Sequence, residues 1–324
     1  MKKHIYCESC GSRMRRNGKT AKGTERYRCL DCRTSTIIHR PDTHSRHDHE
    51  RFISWLTGVK SKTEIAKHYG LSRRTLTREF QAFFLDPVEP PIPKDIAIKL
   101  LIVDAKYIHH RVMCVLVALT EDDRIFWQFA PEERYGTWRE FLKMFPQPKV
   151  VVADGHKGMF YFVKRYWPET AFQRCHFHMS LLVTKYLTRN PRDEAGQVIL
   201  DLVHRLKTIK TREDKEQWLM FHRIWEKQYE KVFNEKTESG GYRYRKLRSV
   251  RTIMRRSLPN LFTYLDYSGC PNTTNLVEGW INTAIAEGLS RHRGLTLTQK
   301  KTLVSVILSN LKRNSKGKNT RKFP

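Results

Sequence analysis

Between residues 97 and 185 short apolar runs alternate with helical patterns, and this order is what most restricts the fold. Ile98–Asp104 reads as a buried strand ending in an acid, Val112–Leu119 as a second strand and Arg124–Phe129 as a third. Glu121-Asp122-Asp123 turns the chain between the last two. A helix over Thr137–Met144 leads to Lys149–Asp154, again a buried strand ending in an acid. A helix over Lys157–Tyr166, a short strand Ala171–Cys175 and a long helical region from His178 follow. Cys114 falls inside the second apolar run and is expected in the core.

The order β-β-β-α-β-α-β-α is that of a ribonuclease-H-like domain, an α+β to α/β arrangement. Open α/β sheets place their sites at the carboxyl ends of strands, and two strands here carry an aspartate there. An unpaired buried carboxylate costs several kcal/mol, so strands do not end in acids for packing. Two such acids on neighbouring strands repel unless a cation lies between them. Mg2+ fits, because it takes carboxylate oxygens and leaves positions for phosphate and water. A pair of metals about 4 Å apart can stabilise both oxygens of a phosphoryl transfer. Asp104 and Asp154 are therefore candidate catalytic metal ligands. A third acid is needed. Residues 186–266 are charged, helical and aromatic, with Trp218, Phe221, Trp225 and Tyr229, and read as an inserted helical subdomain. Beyond it Thr274 or Asn275 can cap a helix that carries Glu278 in its first turn, with Leu276, Trp280 and Ile281 packing onto the sheet. Glu287 is the rival.

The first 40 residues obey a different constraint. Cys7 and Cys10 form one C-x2-C knuckle, Cys29 and Cys32 another, with 18 residues between them. Each knuckle aims two thiolates at one point, and two complete a tetrahedral zinc site. Gly11 suits the tight turn after the first knuckle, and Asn17-Gly18 signals a hairpin. The expectation is a zinc ribbon with one structural Zn2+. A His-rich stretch, His39, His44, His47 and His49, lacks paired ligand turns and reads as a linker or helix start.

Residues 41–86 carry the pattern of a helix-turn-helix. Thr63 can cap a first helix, Ile65, Ala66 and Tyr69 face a core, and Gly70 makes the turn. Ser72 caps a second helix whose Leu76 and Phe80 are buried. Arg73, Arg74, Thr77 and Arg78 are then left to meet DNA. The Pro-rich residues 87–96 form a linker to the core at 97–185, the insertion at 186–266 and the final catalytic helices at 267–311.

Charge supports a polyanionic partner. Lys+Arg number 61 against 33 Asp+Glu, a net charge of +28. Charge of this size governs association, not fold. No apolar run approaches the roughly 18 residues of a membrane span, and no secretion signal is seen. An integral membrane protein and an acidic disordered chain are excluded on these grounds, and a cytoplasmic, nucleoid-associated protein is expected. The basic tail, residues 312–324, reads as a non-specific DNA arm.

Taken together these segments resemble bacterial insertion-sequence transposases of the mutator-like DDE type. The resemblance spans almost the whole chain. It rests on the zinc ribbon, the helix-turn-helix, Asp104 and Asp154, and on Arg174-Cys175-His-Phe-His178, which looks like the family's C-x2-H signature. Thr273-Thr-Asn-Leu-Val-Glu278 and Ser290-Arg-His-Arg-Gly-Leu295 complete it. It implies a ribonuclease-H-like domain interrupted by an all-helical insertion before its glutamate, which selects Glu278 over Glu287. It implies two Mg2+ ions (Mn2+ could replace them) held by Asp104, Asp154 and Glu278. Cys175 and His178 would lie beside the site, and His292 and Arg293 would meet phosphates. It implies binding to the terminal inverted repeats of a transposable element, metal-dependent strand cleavage, strand transfer to target DNA and a homo-oligomer on DNA. Three alternatives are a non-enzymatic DNA-binding regulator, a nuclease without strand transfer and a degenerate transposase. The first leaves the strand-end acids unexplained, and the last is disfavoured by the presence of all three acids and all four knuckle cysteines.

Overall fold

The computed structural model describes residues 5–7, 10–21, 23–37, 41–84, 88–93 and 96–312, without the side chains of 41–47. The basic tail from residue 313, His39 and part of the Pro-rich linker lie outside the described residues. The chain is mixed α/β and divides into two units, Met1–Trp55 with Lys60–Phe83, and Leu56–Val59 with Phe84–Pro324.

The first unit opens with an antiparallel sheet of β1 (Met14–Lys19), β2 (Glu25–Cys29) and β3 (Ser35–Ile37). Asn17-Gly18 is not the hairpin turn. It lies within β1, where the register slips between Arg16 and Lys19 and Gly18 takes a φ of 74°. The turn comes later, closed by Thr20 N–H donating to the Thr24 carbonyl and Gly23 N–H to that of Thr20. The slip is a β-bulge, which also accounts for an Asn-Gly signal inside a strand. α1 (Pro41–Thr57) starts at the proline, so His44, His47 and His49 belong to a helix.

α2 (Lys62–His68) and α3 (Arg73–Phe84) follow. Ser61, not Thr63, caps α2, because Glu64 three residues on closes a capping box with it. Gly70 turns the chain at a φ of 63°. Ser72 Oγ accepts from Thr75 N–H over 3.0 Å at the start of α3. Ile65, Ala66, Leu76 and Phe80 are buried as expected, with Trp55 stacked on Phe80 and Phe52 edge-on to it. Tyr69 is not in the core. It is 49% exposed, with the Arg51 guanidinium 5.0 Å over its ring.

The second unit is built on a five-stranded sheet. Its strands are β4 (Leu100–His109), β5 (Met113–Thr120), β6 (Ile125–Ala130), β7 (Val150–Ala153) and β8 (Ala171–Arg174). Their order is β6-β5-β4-β7-β8, antiparallel from β6 to β4 and parallel from β4 to β8. α4 (Tyr135–Leu142) joins β6 to β7, and α5 (Lys157–Tyr166) joins β7 to β8. Both faces of the sheet are covered, so β5 is buried along its whole length and reads as an unbroken apolar run. Leu101, Val103 and Leu116 pack under Trp138 and Phe141 of α4 and Phe162 of α5. Ile102, Val115 and Val117 pack under Val277, Trp280 and Ile281 of a π-helical segment, Leu276–Asn282. Ile285 and Val304, from two helices late in the chain, add to that second face.

α6 (His176–Leu187), α7 (Glu194–Arg205), α8 (Arg212–Gln228), α9 (Glu230–Asn234) and α10 (Arg245–Ser257) intervene before the π-helical segment. They share their own core around Trp218, Trp225, Tyr229 and Phe233, while Phe221 is 40% exposed. The Trp218 and Trp225 indoles donate to the Leu202 and Ala195 carbonyls of α7, so each aromatic is both buried and satisfied. α11 (Thr283–Arg291) and α12 (Leu297–Asn310) end the described chain. No described helix is long and apolar enough to cross a membrane.

Candidate functional site

β4 does not end at Asp104. The strand runs five residues further, still paired to β5, with Asp104 opposite Val117. What ends near Asp104 is the parallel partner. Leu100, Leu101 and Ile102 pair with Val150, Val151 and Val152, and β7 stops at Ala153. Continued by two residues, this register sets Asp104 level with Asp154, the first residue past β7. The acid therefore sits where the sheet loses a neighbour, and the strand's length there is supplied by the other side.

Asp104 shares a face with Ile102 by the period of two, and the π-helical segment covers that face. Its carboxylate is buried, and Asn282 Nδ2 donates to its Oδ2 over 2.7 Å. Burial pushes the Asp104 carboxyl up to about 7, the His178 charge opposes this, and the Glu278 and Asp154 charges add to it. Two of the acids singled out in the sequence thus act electrostatically on the third. Glu287, half-buried on α11, lies nine residues beyond Glu278.

Glu278 is clamped from the start of α6. Thr274 Oγ1 donates to Glu278 Oε1 and also lies 3.3 Å from Cys175 Sγ and 3.5 Å from His178 Nδ1. The Thr274 N–H donates to Cys175 Sγ over 3.2 Å. His178 Nδ1 stands 3.4 Å from Glu278 Oε1. Burial lowers the His178 pKa, but Cys175, Glu278 and Asp104 outweigh it and raise it to about 9, so the ring is charged at neutral pH. Cys175, His178 and Glu278 present ligand atoms within 4.8 Å of one another. The Thr274 hydroxyl touches all three atoms, so they form a hydrogen-bonded cluster around it. Thr274, expected as a helix cap, serves this cluster instead.

On the Asp154 side, His156 N–H donates to Asp154 Oδ1 over 2.7 Å. Gly155 takes a φ of 82°, and a side chain there would meet the Arg174 guanidinium at 3.0 Å. Arg174 thus lies flat over Gly155, where the Asp154 charge acts on it. Glu133, just before α4, accepts from Trp138 Nε1 over 3.2 Å. Burial raises its carboxyl pKa, the Asp154 charge adds to this, and His156 opposes it. Sequence reading missed Asn282, Thr274 as a clamp, Arg174 and Glu133. Only a residue four after Glu278 on one helix carried any signal; the others depend on chain crossings.

The donor set fits a hard divalent cation. The Glu278 and Asp154 charges both act on the buried Asp104 carboxyl, oxygen donors of the kind such a cation takes, and the buried Asn282 Oδ1 has no hydrogen-bond partner among the described residues. Like charges so placed are stable when a cation neutralises them.

In the first unit Cys7, Cys10, Cys29 and Cys32 bring four sulfurs within 4.8 Å of one another. Cys7 and Cys32 Sγ are 3.5 Å apart, Cys10 and Cys29 Sγ 3.4 Å. Tetrahedral zinc with Zn–S of about 2.3 Å needs sulfurs about 3.8 Å apart, so the cluster could bind zinc with small shifts. Hydrogen bonding with Thr34 holds the Cys32 thiol down at about 6, which favours the thiolate a metal requires, while burial pushes the Cys29 thiol up to about 11.

Arg73, Arg74, Thr77 and Arg78 are all exposed on one side of α3, opposite Leu76 and Phe80. His292 ends α11, and its Nε2 lies 2.9 Å from the Leu56 carbonyl, so that nitrogen is engaged. Arg293 is exposed, with Nε donating to the Ser290 carbonyl over 3.3 Å.

Among curated proteins none matches the chain. A family model described as "Transposase, Mutator family" matches residues 74–278, more than half of the sequence.

Proposed function

The chain belongs to the Mutator family of transposases, and from that premise we propose that it is a DDE transposase acting on the ends of its own element. Residues 1–40 are a zinc ribbon and 41–86 a helix-turn-helix, and together they bind the terminal inverted repeats. Arg73, Arg74, Thr77 and Arg78 face the major groove or its phosphates. Residues 97–185 and 267–311 form a ribonuclease-H-like catalytic domain, with 186–266 inserted; the sheet order and the break before Glu278 support this reading.

Asp104, Asp154 and Glu278 would hold Mg2+, which when bound would supply a nucleophilic oxygen and charge stabilisation for in-line phosphoryl transfer. Asn282 fixes the Asp104 carboxylate, and Thr274 and His178 fix Glu278. Arg174 adds positive charge beside Asp154, where a phosphate would enter. Water attacks a phosphodiester at the element end, breaking its P–O3′ bond and leaving a 3′-hydroxyl and a 5′-phosphate. That hydroxyl then attacks a phosphodiester of target DNA, forming a new P–O bond as the target's own 3′-oxygen leaves. Two ends must be held together, so a homo-oligomer on DNA is part of the proposal.

One observation carries this reading: a buried aspartate with two further acids acting on it, on a sheet no packing argument would furnish with carboxylates. Strand transfer in vitro tests it. The protein is given Mg2+ and a duplex carrying its terminal repeat, beside Glu278→Gln. Joined products from the wild type alone are expected. Cleavage without joining would make the protein a nuclease, and specific binding without either would make it a regulator.

A further inference from the structure

We propose that Glu133 is a fourth carboxylate of this centre, accepting hydrogen bonds from water on the cation beside Asp154. This rests on the reading of Asp104, Asp154 and Glu278 as the cation-binding acids.

Glu133 sits between β6 and α4, beside a second glutamate, and the two are treated differently. Glu132 pairs with Arg134 over 2.5 Å at the surface. The Glu133 side chain is only 19% exposed, and His156 Nδ1, which accepts from the Gly158 N–H, lies 4.0 Å from its Oε1. Its Oε1 takes the indole proton of Trp138, which is itself fully buried. A neutral indole fixes the direction of a carboxylate but does little to neutralise it.

Two backbone contacts fix the segment here. Glu133 N–H donates to Tyr107 Oη over 3.4 Å. A Cβ at Gly158, in the first turn of α5, would lie 2.7 Å from both N and Cα of Tyr135. The absent side chain lets the 134–135 backbone press onto α5, two residues from His156. His156 in turn donates from its backbone to Asp154. Glu133, His156 and Asp154 are thus tied together through short contacts.

This geometry links a poorly solvated carboxylate through His156 to a second one, whose charge acts on it. Repulsion of that kind persists in a fold when the acids share a cation. Outer carboxylates that orient the ligands of a metal typically contribute tenfold to a hundredfold in its affinity. Glutamine at 133 keeps the acceptor for Trp138 and the volume, and removes only the charge.

The test is Mn2+ binding to the full-length protein without DNA, by calorimetry and by the spin-resonance signal of free Mn2+. Glu133→Gln is expected to weaken binding by about tenfold, with no loss of melting temperature in the metal-free state. Glu133→Asp, which keeps the charge but draws it back, is expected to fall between. Glu132→Gln should match the wild type. Asp154→Asn should lose tight binding. Affinity of Glu133→Gln within twofold of wild type, with Asp154→Asn deficient, would overturn the assignment of Glu133 alone. Unchanged binding in Asp154→Asn would instead overturn the reading of the acids on which it rests.

Discussion

Asn282 reaches across 178 residues of sequence to donate from Nδ2 to Asp104 Oδ2 over 2.7 Å. Its other polar atom, Oδ1, is buried and unpartnered among the described residues. The amide thus holds one carboxylate oxygen in place and offers an acceptor on the same side. Asn282→Ala is expected to slow strand cleavage by about tenfold or more, since a hydrogen bond to a charged group is worth roughly 1.5–3 kcal/mol. Single-turnover cleavage of a terminal-repeat duplex measures it. A rate unchanged from wild type would leave Asn282 as a packing residue.

Thr274 offers a cleaner substitution. Valine has the same shape but lacks the hydroxyl that meets Glu278, Cys175 and His178. Thr274→Val should lower the cleavage rate by about tenfold, while Thr274→Ser retains most of it. A loss in Thr274→Ser as large as that in Thr274→Val would show that the hydroxyl alone does not carry the effect.

The Asp104 carboxyl stands at about 7 in the absence of metal, against an ordinary 3.8, chiefly because it is buried. Cation binding must displace that proton. Mg2+ affinity is therefore expected to rise with pH up to about 7, approaching about tenfold per unit at the acidic end, and to level off above. The folded state holds this proton more tightly than the unfolded chain does. The metal-free protein should accordingly lose stability as pH rises from 3.8 towards about 7. Titrations and thermal melts at pH 5, 6, 7 and 8 would show both trends or neither.

Of the four cysteines Cys7 and Cys29 are buried with Met14 and Tyr27, in a core far too small to fold without help. Metal analysis should find one zinc per chain, and Cys29→Ser should lose it. The same variant should bind terminal-repeat DNA weakly, because structural zinc supplies the folding energy of such modules. Retained zinc in that variant would show that the cysteines do not hold it.

Gly158→Ala places a methyl 2.7 Å from the Tyr135 backbone, which has no side-chain freedom with which to yield. A loss of about 1–3 kcal/mol is expected from overpacking, read as a lower melting temperature. If Glu133 acts as proposed, Mn2+ affinity should fall in the same variant, since the loop that carries it must move.

Much of this was legible in the sequence because it is periodic. The strands β4 to β8 appear as apolar runs, and α5 is found at the limits its pattern indicates. Knuckle spacing marks the four cysteines that the fold then gathers. Errors fell where a residue type has two uses. Asn17-Gly18 serves a bulge instead of a turn, and Tyr69 packs on an arginine instead of a core. Asp104 looked like a strand end because an acid usually interrupts a buried strand; here β5 continues to pair beside it. Glu133, Arg174 and Asn282 were invisible because their roles arise from crossings between distant segments, set by Gly155 and Gly158 as much as by themselves.

The helices from α7 to α10 leave and rejoin the sheet at almost one point. Gln173 Nε2 donates to the Leu261 carbonyl over 3.0 Å, and Thr263 Oγ1 to the Phe172 carbonyl over 2.9 Å. Thr274 then meets Cys175, ninety-nine positions back along the chain. A segment whose two ends are stitched beside one short strand works as a cassette. It can be lengthened, trimmed or exchanged over evolutionary time while Asp104, Asp154 and Glu278 keep their places, because closing a longer loop costs little more than closing a short one.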